Sequence, residues 1–177
     1  MSLPLLLALA QSAGGELPPA SPASEPAPAA APADPCSGPL FAAFDFWLGD
    51  WNVYDRGDGA LLGRSRVEKV NSGCAVRETW TPVAGPVGGS LNAPDLITAR
   101  WHRYWLDKDG QRIELEGGPY QGSMILAGPL GKGTVLRITQ TPLDRDSLRL
   151  LAEVSTDDGL TWALLFEHLY LRAGSGD

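Results

Sequence analysis

Four polar side chains stand where strand alternation places apolar neighbours. Glu78 lies between Val76 and Trp80, Arg103 between Trp101 and Trp105, Gln140 two residues beyond Ile138, and His168 between Phe166 and Tyr170. Successive side chains of a strand point to opposite faces, so each of these shares its face with aromatic or aliphatic partners. If those faces turn inward, the polar groups turn inward too, and must then pair or meet a ligand or water. One reading is structural: a Glu78–Arg103 ion pair beside hydrogen-bonded Gln140 and His168. The other is a ligand pocket walled by Trp51, Trp80, Trp101, Trp105, Met124, Phe166 and Tyr170, with the polar groups orienting what binds. The two are compatible. A Glu78 carboxyl left unpaired in such a cleft, with a raised pKa, would instead suit acid or base chemistry.

Other chemistry finds less support. The two histidines, His102 and His168, form no His-x-His or Glu-x-x-His pattern, so no zinc or non-haem iron set is expected. His102 shares a face with Arg100 and Tyr104, which reads as the solvated side. Ser90 or Ser123 could be set beside His168 as nucleophile and base, but nothing flags either serine as activated. His168 as an axial haem ligand inside a barrel is a further alternative. The glycine-rich 85–89 lacks the Lys-Ser/Thr and the following helix of a phosphate loop. The expectation is therefore no catalytic constellation, no metal and no cofactor.

The element that must position this set is the stretch 44–54, Phe-Asp-Phe-Trp-Leu-Gly-Asp-Trp-Asn-Val-Tyr. It reads as a short apolar helical turn, from 39 to 46, running into a first strand. Trp47, Gly49, Trp51 and Val53 would share one face, and Gly49 allows close backbone approach. Further strands are expected at 62–71, 74–82, 85–92, 97–106, 112–117, 123–128, 134–142, 148–155 and 161–172. In the fifth, Ile97, Ala99, Trp101, Arg103 and Trp105 would face one way; in the sixth, Ile113 and Leu115 would face inward. Asp109-Gly110 and Gly131-Lys132-Gly133 supply hairpin turns. About ten short strands without crossover helices predict an all-β fold. Hairpin links favour a single antiparallel up-and-down β-barrel of 8–10 strands, closed to manage its edges and wide enough for a small ligand.

Composition narrows the partners. The chain has 177 residues and a net charge of −7, which argues against nucleic acid and against an electrostatic membrane surface. Residues 3–10 are apolar but too short to span a bilayer. With small residues at Ala8, Ala10 and Ala13 they fit a secretory signal over 1–15, although no Lys or Arg precedes them. Residues 16–35, rich in Pro and Ala, read as a semi-extended linker, which leaves 36–177 as the folded domain. In an exported chain Cys36 and Cys74 suggest one disulfide, the alternative being two unrelated thiols. The oligomeric state is open.

Two resemblances follow. Residues 155–162, Ser-Thr-Asp-Asp-Gly-Leu-Thr-Trp, match the Asp-box hairpin S-x-D-x-G-x-T-W of sialidase propellers. That hairpin carries no chemistry of its own, and it occurs once here where a propeller repeats it. Gly49-x-Trp51 after a helical turn resembles the start of lipocalin-like (calycin) barrels, in which an Arg near the last strand packs over that Trp; Arg172 is the candidate. From 36 to 172 the chain is similar to a family of exported bacterial lipocalin-like proteins. The shared marks lie at 44–51, 73–80, 88–92, 100–107, 137–142 and 155–162, the last with one inserted Asp. His168 stands where that family has Gly and Gln140 where it has Trp. Nitrobindin-like and fatty-acid-binding barrels share only the general shape. What the resemblance implies is a fold, with no reaction to carry over; the small hydrophobic ligand is the expectation of the walled barrel interior.

Overall fold

The computed structural model describes residues 36–174 apart from 86 and 108. The expected leader (1–15) and Pro/Ala-rich linker (16–35) lie outside the described residues. The strands are β1 Gly49–Asp55, β2 Leu61–Val70, β3 Ala75–Pro82, β4 Gly88–Pro94, β5 Trp101–Leu106, β6 Arg112–Tyr120, β7 Ser123–Gly131, β8 Thr134–Pro142, β9 Ser147–Ser155 and β10 Ala163–Arg172. Each pairs antiparallel with the next, and β1 pairs with β10, so ten strands form the closed up-and-down barrel expected from the alternation. Closure gives every strand two partners and leaves no sheet edge exposed.

One end is plugged by the residues that precede β1. Helix α1, Pro39–Ala42, starts on Pro39, whose fixed φ suits the first helical turn. A 3-10 turn, Asp45–Trp47, follows. Trp47 therefore belongs to the plug and not to the β1 face: its side chain is buried, but by the turn, since β1 begins at Gly49. Two strand tryptophans hold the plug. Trp51 Nε1 donates to Trp47 O at 2.8 Å, and Trp101 Nε1 to Leu40 O at 3.2 Å. Phe44 meets the Trp101 ring edge-on at 5.4 Å.

The same end is fastened from outside. The Arg172 guanidinium lies over the Trp51 ring at 4.3 Å and donates to Leu48 O at 3.1 Å. Gly49 makes room for it. Its φ is +125°, and a Cβ there would collide with Arg172 Nη1. Cys36 and Cys74 form a disulfide across 38 positions of sequence, which ties the chain before α1 to the β2–β3 turn.

β6 and β7 each run three positions further than expected and β10 starts two positions later, and the starts of β4 and β5 differ as well. β5 starts at Trp101, not at 97. Asp95 Oδ1 accepts from the Ile97 and Thr98 N–H groups, and Ala99 has φ of +55°, so 95–100 is a turn. Ile97, expected on the inner face with Trp101, is 95 % exposed, and Ala99 is exposed as well. β4 starts at Gly88, three positions later than expected.

Candidate functional site

Strand register decides which inward side chains meet. Glu78 on β3 lies opposite Ser90 on β4, and Asn92 on β4 opposite Arg103 on β5. Ser65 on β2 is diagonal to Glu78. All five are buried. Together they form one chain of hydrogen bonds running from strand to strand.

The direction of that chain is fixed by chemistry. Arg103 has no acceptor, so Asn92 must turn Oδ1 toward Arg103 Nε, at 2.7 Å. Asn92 Nδ2 then donates to Val76 O at 3.1 Å and to Ser90 Oγ at 3.0 Å. Ser90 passes its own hydrogen to Glu78 Oε2 at 3.1 Å, while Ser65 Oγ donates to Glu78 Oε1 at 2.8 Å. Both carboxyl oxygens accept, the pattern of an ionised Glu78. The expected contact ion pair is not formed: Glu78 and Arg103 are joined through Ser90 and Asn92 and spend their direct bonds on other groups. A direct bridge would forfeit the asparagine and serine bonds that satisfy each charge in place.

Arg103 also crosses the lumen. Its Nη2 donates at 2.5 Å to Gln140 Oε1 on β8, which is not a neighbour of β5 in the barrel. The guanidinium rests over the rings of Trp47, at 4.8 Å, and Phe44, at 5.6 Å. It thereby separates a packed lower half from a hollow upper half. In the lower half Gln140 Nε2 and Trp47 Nε1 are buried without a partner among the described residues. For Gln140 the reason is the same rule as for Asn92: its oxygen must face the arginine, so its nitrogen points away. Such an orphan donor costs about 1–3 kcal/mol.

Above Arg103 lies a cavity of about 320 Å³. Glu78, Arg103 and Tyr170 line it at the level of the polar chain; Trp80, Trp105, Leu136, Leu150 and Phe166 are among its apolar walls. It opens past Leu130 and Leu165, which are 42 % and 50 % exposed. His168 also lines it and stacks on Phe166 at 4.4 Å. Of the residues expected to face a ligand, Glu78, Trp80, Arg103, Trp105, Phe166, His168 and Tyr170 thus share one cavity. Trp51, Trp101, Met124 and Gln140 do not reach it. They point inward as alternation requires but are buried in the plugged half, and are reassigned to packing. Leu130, Leu165, Ser65 and Asn92 complete the site without having been singled out, and Ser90, considered only as a nucleophile, belongs to it as a link in the hydrogen-bond chain. Ser90 and Asn92 sat inside the 88–92 mark; an inward parity shared by Gly63, Ser65 and Val67 was the available signal for Ser65.

Burial dominates the electrostatics. It pushes the Glu78 carboxyl up, against the opposing pull of Arg103 and the two serine hydroxyls. It pushes Arg103 down, against Glu78 and Tyr170. It raises the Tyr170 phenol well above its usual value, helped by the Glu78 charge and opposed by Arg103. His168 is lowered by partial burial, with Asp55, opposite it on β1, pulling the other way.

Elsewhere the Asp-box hairpin is closed on itself. Asp157 accepts from Ser155 Oγ, Thr161 N and Thr161 Oγ1, which lowers its pKa to about 2. Trp162 is covered by Arg137 at 3.9 Å. His102 is exposed, on the outer side with Tyr104. Among the described residues no group of three or more His, Cys, Asp or Glu could hold a metal ion, and no helix is long and apolar enough to cross a membrane. No protein-family model matches the chain, and no curated protein matches it significantly.

Proposed function

We propose that this barrel is an exported carrier for a small amphipathic molecule, held tail-upward in the cavity with its polar end on the Glu78–Arg103 floor. One observation carries the reading: the lumen is packed below Arg103 and hollow above it, and the hollow part has apolar walls and a charged base. Its volume sits at the low end of the range for small-molecule sites. The disulfide is compatible with an oxidising compartment, and so with export. The lipocalin-like start motif agrees with such a carrier.

Trp80 and Trp105 line the cavity, so intrinsic fluorescence of the full chain can report binding. Titration with straight-chain alkanols should give a saturable change that Leu150→Trp, which fills the cavity, abolishes. An unsaturable response, or one that Leu150→Trp leaves intact, contradicts the proposal.

A second reading draws on the raised Glu78 carboxyl in a cleft, the environment of an acid or base. Against it, both carboxyl oxygens are already hydrogen-bonded to serines. Turnover lost in Glu78→Gln while binding is retained would favour catalysis over carriage.

A further inference from the structure

Resting on the reading of the cavity as an amphiphile site, we infer that its floor selects an uncharged polar head that both donates and accepts, such as a hydroxyl or primary amide, over a carboxylate or an ammonium. The floor is made of two opposite charges that do not touch. The hydrogen-bond chain starts on the Arg103 cation and ends on both oxygens of Glu78, so each charge is stabilised where it stands. Each also has capacity to spare. A guanidinium has more N–H donors than the two spent on Asn92 and Gln140, and a carboxylate more lone pairs than the two taken by the serines. Both residues line the same cavity.

A carboxylate head would gain donors from Arg103 but would bring a second negative charge beside Glu78 in an enclosed, apolar-walled space. Like charges there are screened less than in bulk water. An ammonium meets the mirror problem at Arg103. A neutral head avoids both: its acceptor takes a hydrogen from Arg103 and its hydrogen goes to Glu78. Of the other lining residues, Leu136, Leu150 and Phe166 are apolar, and Tyr170, His168 and the indole N–H groups of Trp80 and Trp105 carry no formal charge that would favour a charged head over a neutral one.

The test compares four probes of equal chain length at neutral pH, each below its aggregation concentration: decanol, decanamide, decanoate and decylamine. Binding to the full chain is followed by tryptophan fluorescence. Decanol and decanamide should bind at least about tenfold more tightly than either charged probe. Glu78→Gln leaves a net positive floor and should raise decanoate affinity about tenfold relative to decanol. Decanoate binding as tightly as decanol to the wild type overturns the inference while leaving the cavity reading standing; so does a Glu78→Gln order unchanged from wild type. If the variant does not fold, the wild-type order alone decides. If none of the four binds saturably, the cavity reading itself falls, and the inference with it.

Discussion

Removing Arg103 should be among the most damaging single changes in the barrel, and removing Glu78 with it should recover part of the loss. Arg103→Met deletes the charged hydrogen bonds to Asn92 and Gln140 and the cation over Trp47 and Phe44. It also leaves Glu78 as a buried charge with no counter-charge in the lumen. Losing one member of a buried charge pair costs about 3–5 kcal/mol. At about 3 °C per kcal/mol for a domain of this size, Tm should fall by about 10–15 °C. Glu78→Gln strands the arginine but also removes a charge that burial disfavours, so it should cost less than Arg103→Met. The two residues share one hydrogen-bond chain, so their effects are not independent. The double variant should fall short of the summed losses by at least about 2 kcal/mol. The assay is urea unfolding of the oxidised full chain at neutral pH, followed by tryptophan fluorescence and compared at constant m. Strictly additive losses, or an Arg103→Met cost under about 1 kcal/mol, would refute the idea that the two charges compensate each other through Ser90 and Asn92.

Three further outcomes are expected. Gly49→Ala forces a side chain into a positive-φ position that Arg172 occupies, and should cost about 2 kcal/mol or more by thermal unfolding; an unchanged Tm would mean that Arg172 does not need its place over Trp51. Replacing Cys36 and Cys74 by Ser opens a cross-link over 38 positions, worth about 4 kcal/mol in the chain-entropy model, and should lower the urea midpoint accordingly. The His168 pKa lies below its usual 6.5, so the unfolded chain takes up this proton first as pH falls. Stability that His168 supplies above pH 6.5 is then lost as pH drops through that value toward the lower folded one, and His168→Gln should lose less over the same window in denaturation curves. Glu78, raised by burial, works in the opposite sense: its share is present at low pH and is lost as pH rises above 4.5, so the variants must be compared pairwise at each pH.

The barrel was legible because its evidence is local. Alternation in β3, β6, β8 and β9, glycine turns between them, and the lack of helical periodicity beyond 46 leave few alternatives to a meander that closes. Inward parity also picked out Glu78, Arg103, Gln140 and His168. Parity, however, says nothing about height along the lumen. That is set by the stagger of the strands, and it is why Trp51, Trp101, Met124 and Gln140 are inward yet lie below the cavity. Ile97 and Ala99 deceived for a different reason: they continue the alternation of β5, but Asp95 caps the N–H groups of 97 and 98 and turns the chain first. Small polar residues hid the rest. Ser65, Ser90 and Asn92 look like ordinary solvent-facing strand residues until a buried carboxylate and a guanidinium are seen to need them.

The orientation of a bound amphiphile tests the central claim most directly. With decanol bound to the isotope-labelled full chain, nuclear Overhauser contacts should run from the alkyl chain to the indole protons of Trp80 and Trp105, and from the carbinol methylene to Arg103 and Tyr170. Contacts confined to outward residues such as Leu91 and Tyr104, or a chain end found beside Arg103 with the hydroxyl at Leu130 and Leu165, would contradict it.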